Sequence, residues 1–293
     1  SRHNTQGPTL MEQTPKPYRQ LLENLNGRFQ AFPQVAAIAL GGSLASPNHD
    51  AGSDIDLYVF VRDLIPLTDR QAIVAELGAS RADLNLQLWD LGDEWFDAAT
   101  GIEVDVIYWW QDWIATQLDR VLVEHQASVG YSTCFWHTIR QARPLYDPTG
   151  WLANLQTQAD QPYPEPLRQD IIAKNHSVLR QIIPSYRYQL EKAVQRGDMV
   201  SINHRVAALL ASYFDVLFAL NRVPHPGEKR LLAKAEELCG IRPLRMNEEV
   251  TAVLTTTDPA LLSATDALID SLDALLYAEG LFGKQQAATT PTK

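Results

Sequence analysis

Two aspartates separated by one residue follow a glycine-rich segment in the N-terminal part of the chain. Residues 41–43 are Gly-Gly-Ser, and ten residues later the chain reaches Asp54 and Asp56. Residues two apart in a strand point to the same face, so the two carboxylates stand side by side. Because adjacent like charges repel, a divalent cation is the natural partner for this pair. Magnesium fits, since it binds one or two carboxylates together with substrate phosphates.

The glycine pair predicts the phosphate-binding part of the same site. Gly41 and Gly42 lack a Cβ, which lets the backbone approach phosphate oxygens closely. Ser43 adds a hydroxyl and a backbone N–H at the start of a helix or turn. We assign Gly42, Ser43 and Ser53, the residue before Asp54, to nucleotide binding.

A third acid lies on a later strand. Residues 102–106 alternate apolar and acidic side chains, so that Asp105 shares a face with Glu103. If this strand lies beside that of Asp54 and Asp56, three carboxylates converge and can hold two magnesium ions. Asp105 would then act as general base, or as the metal ligand that lowers the pKa of an attacking hydroxyl. Glu103 is the alternative third acid.

Hydrophobic periodicity predicts the elements that position these residues. Helices are predicted over residues 18–32 and 66–79, and strands over residues 35–40, 54–61, 84–89 and 102–108. From about residue 112 the pattern is helical, except for a loop over residues 147–166 with four prolines. The long helices are predicted over residues 167–196, with a kink at Pro184, and over 201–221, 228–239 and 259–278. The fold class is therefore α+β, a mixed sheet with helices over residues 11–145, followed by an all-α bundle over residues 146–284.

Composition limits the compartment and the partners. The chain has 293 residues, 45% hydrophobic and 20% charged, and no apolar run of membrane-spanning length. Its two cysteines favour a reducing compartment, the cytoplasm. A net charge of −10 disfavours DNA and broad RNA binding and fits a small or cationic acceptor. We expect residues 1–10 to be a cloning remnant, and residues 285–293 to form a disordered tail.

The motif resembles the signature of the DNA polymerase beta superfamily of nucleotidyltransferases, over about residues 35–108. Its elements are Gly42-Ser43, Asp54-x-Asp56 and the later acid Asp105. The two-domain layout is similar to that of the aminoglycoside adenylyltransferases. That resemblance implies transfer of AMP from ATP to an acceptor hydroxyl, release of pyrophosphate, and an acceptor bound between the domains. It also implies that Lys229, in the loop after a long helix, contacts the triphosphate.

Several assignments stay open on the sequence. The acceptor could be a small molecule, such as an antibiotic in a resistance enzyme, or a protein or RNA as in toxin–antitoxin systems. The chain could also be a non-catalytic nucleotide-binding module. Lys229 could be an ordinary surface lysine, and His204 and Arg205 could either face a cleft or mark a helix boundary. Aromatic side chains that could stack on a base or simply pack in the core are Tyr108, Trp109, Trp110 and Trp113.

Overall fold

The computed structural model of the protein describes residues 9–46 and 52–282. Its strands are β1 (Val35–Leu40), β2 (Ile55–Val61), β3 (Ala79–Leu86), β4 (Gly92–Asp97), β5 (Glu103–Trp110) and β6 (Arg143–Tyr146). Its first six helices are α1 (Leu10–Gln13), α2 (Lys16–Gln30), α3 (Leu67–Leu77), α4 (Gln111–Leu122), α5 (Cys134–Gln141) and α6 (Trp151–Ala159). The remaining helices are α7 (Glu165–Arg180), α8 (Tyr186–Arg196), α9 (Met199–Leu220), α10 (Leu231–Leu238), α11 (Met246–Thr255) and α12 (Ala260–Ala278).

The chain divides into two compact units. The sheet unit runs up to Leu118 and resumes over Thr138–Gln161. The helical unit takes Asp119–His137 and the chain from Pro162 onward. The predicted domains meet at one boundary, after residue 145, whereas each compact unit consists of two segments of the chain. The predicted domain limits therefore remain a proposal. The predicted fold class, a mixed sheet with helices followed by a helical region, is confirmed.

One six-stranded mixed sheet forms the sheet unit, in the order β3-β4-β5-β2-β1-β6. The central pair β2 and β5 is parallel, and every other neighbouring pair is antiparallel. Strand β1 is wholly buried, as its unbroken apolar sequence predicts. The register places Asp56 directly opposite Asp105 on the parallel neighbour.

The two faces of strand β2 pack against different elements. On one face the side chains run from Asp56 through Tyr58 to Phe60, and Phe60 contacts Trp151 of α6 with ring centroids 5.2 Å apart. On the other face the buried residues of β2 and β5 join a core to which α2 contributes Phe29, 6.1 Å from the Tyr108 ring. The acids of β2 therefore lie at one end of a face whose other end is apolar and packed.

A buried ion pair lies on the core face. Arg70 of α3 donates to an Asp93 carboxylate oxygen at 2.6 Å, and the two residues are 5% and 1% exposed. Tyr108 donates its hydroxyl to the other Asp93 oxygen, also at 2.6 Å. Asn85 adds its backbone N–H at 2.8 Å and accepts from Arg70 at 3.2 Å. Because every charge has partners, this network can fix α3, β4 and β5 together without leaving a buried charge unpaired.

Two predictions in the helical part are corrected. Pro184 does not kink one long helix: α7 ends at Arg180, and α8 begins after Ser185, whose hydroxyl accepts the Tyr188 N–H. A proline that cannot donate, followed by a residue that caps, separates the two helices. The predicted loop over residues 147–166 contains α6, because Asp147 accepts the N–H groups of its first turn and its apolar face is buried.

The predicted strand over residues 84–89 is displaced. Strand β3 ends at Leu86, and Leu88, expected to point inward, is 77% exposed. Asn85 has a φ of +58° and the pairing with β4 is irregular there, which breaks the assumed alternation. The pattern also missed β4, β6 and α11, which are short or weakly apolar.

Around α9 the helical unit carries a buried polar network. Asp215 accepts from the Ser132 hydroxyl at 2.6 Å and from Asn175 at 3.1 Å. Asn175 also accepts the Gly130 N–H at 2.7 Å and donates to the Ser128 carbonyl. These bonds hold the segment before α5 against α7 and α9.

Among the described residues, none of the helices combines the length and the apolar character that a membrane span requires.

We predict that Asp93→Ala lowers the free energy of unfolding by about 3–5 kcal/mol, because Arg70 is left buried without its counter-ion. Chemical denaturation monitored by tryptophan fluorescence measures this loss. The matched control is Asp83→Ala, which breaks the exposed Arg81–Asp83 pair and should cost less than about 1 kcal/mol. Equal losses in the two variants would contradict a structural role for the buried network.

Candidate active site

Acidic side chains from three adjacent strands form one row across the sheet. Asp105 lies beside Asp56 on the parallel strand and opposite Glu94 on the antiparallel strand. Neighbouring strands stand about 4.8 Å apart, so the three backbones bring their carboxylates close. Glu103 shares the face of Asp105 by alternation, and Asp54 immediately precedes β2. We call these five residues the carboxylate row.

The glycine pair packs directly against β2. Gly41 donates its N–H to the Asp56 carbonyl at 2.8 Å, extending the pairing of β1 with β2 by one residue. Gly42 has a φ of +59°, and a Cβ there would overlap the Asp56 carboxylate, 2.7 Å from its Cγ. A Cβ at Gly41 would overlap the Tyr58 ring. Only glycines therefore let this backbone lie against the acidic end of the strand.

The two serines predicted to bind the nucleotide lie next in sequence to the glycine pair and to Asp54. Ser43 is exposed and begins a 3₁₀ turn, Ser43–Ala45, whose last carbonyl accepts from Arg143 at 3.0 Å. Ser53 is buried and directly precedes Asp54. Residues 47–51 of the loop between them lie outside the described residues, as do residues 1–8 and the predicted tail. The structure thus places Gly42 and Ser43 at the carboxylate row, and their assignment to nucleotide binding remains a prediction.

The row changes the acidity of its central member. Burial raises the pKa of Asp105 to about 7, and four negative charges act in the same direction, from Asp56, Glu94, Glu103 and Asp54 in decreasing order. Asp105 can therefore take up and release a proton near neutral pH, which is what a general base requires.

Tyr58 lies beside the row on the same face. Burial raises the pKa of its hydroxyl, and the charges of Asp56 and Asp105 add to the shift. Its ring stacks on Trp109 at a centroid distance of 4.7 Å. The stack provides an apolar wall next to the row, which reduces solvent screening of the carboxylates.

The donor chemistry of the row fits magnesium bound together with a phosphate group. Within residues 9–46 and 52–282, no group of three or more His, Cys, Asp or Glu side chains is arranged to hold a metal ion by itself. Magnesium does not need such a cage, because it is bound by one or two carboxylates with phosphates and water. Asp54 and Asp56 can supply those carboxylates, and Gly42 brings backbone beside Asp56. A second ion at Asp105 remains a prediction.

Two further predicted residues are Lys229 and Tyr108. Lys229 is an exposed residue of the helical unit, in the loop before α10, and its contact with a triphosphate remains a prediction. Tyr108 points away from the row and bonds Asp93, which favours its packing role. Glu94 was missed because β4 carries too few apolar residues to be predicted as a strand. The alternation of Glu94 with the buried Trp95 was the available signal.

Comparison with known proteins gives two family matches. Residues 19–111 match the nucleotidyltransferase domain, and residues 135–231 match a domain of unknown function, DUF4037. No curated protein matches the chain. Among solved structures the chain is similar to a nucleotidyltransferase-like protein from Exiguobacterium sibiricum. The identity is 13% and the TM-score 0.43, over 89% of this chain and 75% of the other.

The nucleotidyltransferase match covers the site and most of the sheet. It spans β1 to β5 but not β6, and therefore includes the glycine pair and the whole carboxylate row. Residues 19–111 thus match a nucleotidyltransferase domain, and the activity that this match supports is nucleotidyl transfer in general.

Proposed function

We propose that the protein is a magnesium-dependent adenylyltransferase. It transfers AMP from ATP to a hydroxyl of a small-molecule acceptor and releases pyrophosphate. An aminoglycoside-type antibiotic, in a resistance enzyme of the cytoplasm, is the acceptor class we favour. The observation that carries the proposal is the in-register row of Asp56, Asp105 and Glu94 beside Gly42.

The residues of the row have separate roles in this proposal. Asp54 and Asp56 would hold magnesium, which supplies charge neutralisation at the triphosphate. The backbone at Gly42 and the Ser43 hydroxyl and N–H would bind phosphate oxygens, and Ser53 would also contribute to nucleotide binding. Lys229 would offset negative charge on the leaving pyrophosphate.

Asp105 would accept the proton of the acceptor hydroxyl. As that oxygen forms a bond to the α-phosphorus, the bond from the α-phosphorus to pyrophosphate breaks, and the proton passes from Asp105 to solvent. A base with a pKa near neutrality suits this exchange, because about half of it is ionised at neutral pH and the carboxylate is basic enough to take the proton.

The acidic chain supports a cationic acceptor. The net charge of −10 attracts a polyamine-like molecule and repels a nucleic acid backbone. The ATP preference and the antibiotic class come from the resemblance to the aminoglycoside adenylyltransferases. The acceptor is therefore the part of the proposal that experiment must identify.

Label transfer from α-labelled ATP tests both chemistry and acceptor. With magnesium present, we expect label on an aminoglycoside in a panel that also contains tRNA and the protein itself. Asp54→Asn and Asp56→Asn should each lower the rate by more than about a hundredfold, because the triphosphate loses a metal-binding carboxylate. Circular dichroism should show an unchanged fold.

The matched control for label transfer is Asp83→Asn, an exposed acid of the same sheet outside the carboxylate row. It should keep full activity. Full activity in Asp54→Asn or Asp56→Asn would refute the metal assignment. Label on tRNA or on the protein alone would refute the small-molecule acceptor while keeping nucleotidyl transfer.

A pH profile distinguishes Asp105 from Glu103 as the third acid. With Asp105 as base, kcat/KM for magnesium–ATP, which reports the ionisation of the free enzyme, should fall about tenfold per pH unit below about pH 7, as the Asp105 carboxylate becomes protonated. Glu103→Gln should remain active and move this limb to lower pH, because one charge that raises the Asp105 pKa is gone. Asp105→Asn should lose most activity at every pH. The reverse outcome, with Asp105→Asn active and Glu103→Gln inactive, would make Glu103 the base.

A further inference from the structure

A polar cavity lies between two helices of the helical unit. It has a volume of about 310 Å³ and lies between α8 and α9. The residues that line it are Gln189, Lys192 and Arg196 of α8 and Ser201, His204 and Arg205 of α9. None of the six is acidic, and four are basic. We call these six residues the basic cavity.

Helix geometry explains why the cations converge. Residues 189, 192 and 196 follow one another at i, i+3 and i+7, and residues 201, 204 and 205 at i, i+3 and i+4, so each set occupies one helix face. Gly197, with a φ of +64°, ends α8, and Asp198 caps α9 immediately afterwards. This tight turn brings the two faces against each other.

The carboxylate of Asp198, in the turn between the two helices, is already engaged. Asp198 accepts the Ser201 N–H at 3.1 Å and its hydroxyl at 2.7 Å, and it pairs with Arg196 at 3.4 Å. Arg205 instead donates to the Gln189 amide oxygen at 3.0 Å, a neutral partner. Lys192 lies 4.6 Å from the centroid of the Tyr188 ring. These contacts orient the two cations without neutralising them.

The cations of the basic cavity differ from two neighbouring arginines of the same unit, Arg180 and Arg187. Arg187 pairs with Asp266, and Arg180 pairs with Asp270 and Asp273, all on α12. In the part of the chain that the structure describes, neither Lys192 nor Arg205 forms an ion pair. The cavity therefore carries positive charge that no carboxylate of the described residues neutralises at Lys192 and Arg205, in a chain whose formal net charge is −10.

We propose that the basic cavity binds the phosphate group of a small phosphorylated molecule. Guanidinium, ammonium, imidazole and hydroxyl donors on facing helices are the groups that recognise phosphate. The volume lies at the lower end of small-ligand sites, so the ligand is small. The acidic character of the chain disfavours a nucleic acid as the source of the phosphate. The site uses no residue of the carboxylate row and does not depend on the proposed transfer reaction.

Calorimetric titration with inorganic phosphate and with pyrophosphate tests this site. The titrated protein carries both Asp54→Asn and Asp56→Asn, and the buffer contains EDTA. Metal-dependent binding of phosphate at the carboxylate row then does not contribute to the signal. We expect saturable binding of one ligand per chain. Lys192→Gln and Arg205→Gln should each weaken it by about tenfold, as expected for losing one charge-assisted hydrogen bond. Thermal denaturation checks that the variants are folded.

The control is Arg245→Gln, which removes an exposed cation of the same unit outside the cavity. It should leave the affinity unchanged. The ring signals of His204, identified with His204→Gln, should shift on titration with phosphate while those of the other histidines do not. Equal weakening by Arg245→Gln, or no shift at His204, would overturn the site. Binding of tRNA that depends on Lys192, without binding of either free phosphate, would overturn the small-molecule assignment.

Discussion

Repulsion among carboxylates held in register on adjacent strands is the constraint on which the site depends. Asp56 and Asp105 are paired positions of β2 and β5, and Glu94 faces Asp105 from β4. Backbone pairing fixes these positions, so the side chains cannot move far apart. Burial is the largest cause of the raised pKa of Asp105, and the repulsion from the neighbouring carboxylates adds to it. A bound cation would relieve this repulsion, which is why we interpret the row as a functional feature rather than a stabilising one.

The surrounding structure offsets the cost of this repulsion. On the opposite face the Arg70–Asp93–Tyr108 network joins α3, β4 and β5 through buried charge-assisted bonds. On the acidic face, the stacked Tyr58 and Trp109 fill the space beside the row. Gly42 then brings backbone to the carboxylate of Asp56, where any side chain would clash. Strand pairing, core packing and glycine placement thus all act on the same few acids.

The features that could be predicted from the sequence are those that depend on local patterns of polar and apolar residues. The spacing of Asp54 and Asp56, and the shared face of Glu103 and Asp105, follow from strand alternation and needed no tertiary information. The apolar run of β1 was predicted with its observed limits. Glu94 could not be predicted as a neighbour of Asp105, because that contact depends on the register of a strand with little apolar signal. The break after Arg180 and the helix α6 depend on capping by Ser185 and Asp147, which hydrophobic periodicity does not detect. The basic cavity was equally hidden: a break between residues 196 and 201 was predicted, but which faces of α8 and α9 pack against each other depends on tertiary structure.

The most direct test of the central claim is the pKa of Asp105, measured from its carboxyl carbon by NMR in the protein without and with magnesium and a non-hydrolysable ATP analogue. Without them the account predicts a pKa of about 7. With both present, the pKa should fall by at least about one unit, because the bound cation favours the ionised carboxylate and offsets the repulsion from its acidic neighbours. An ordinary pKa in the free protein, or a pKa that magnesium and nucleotide leave unchanged, would contradict the carboxylate row as a metal and nucleotide site.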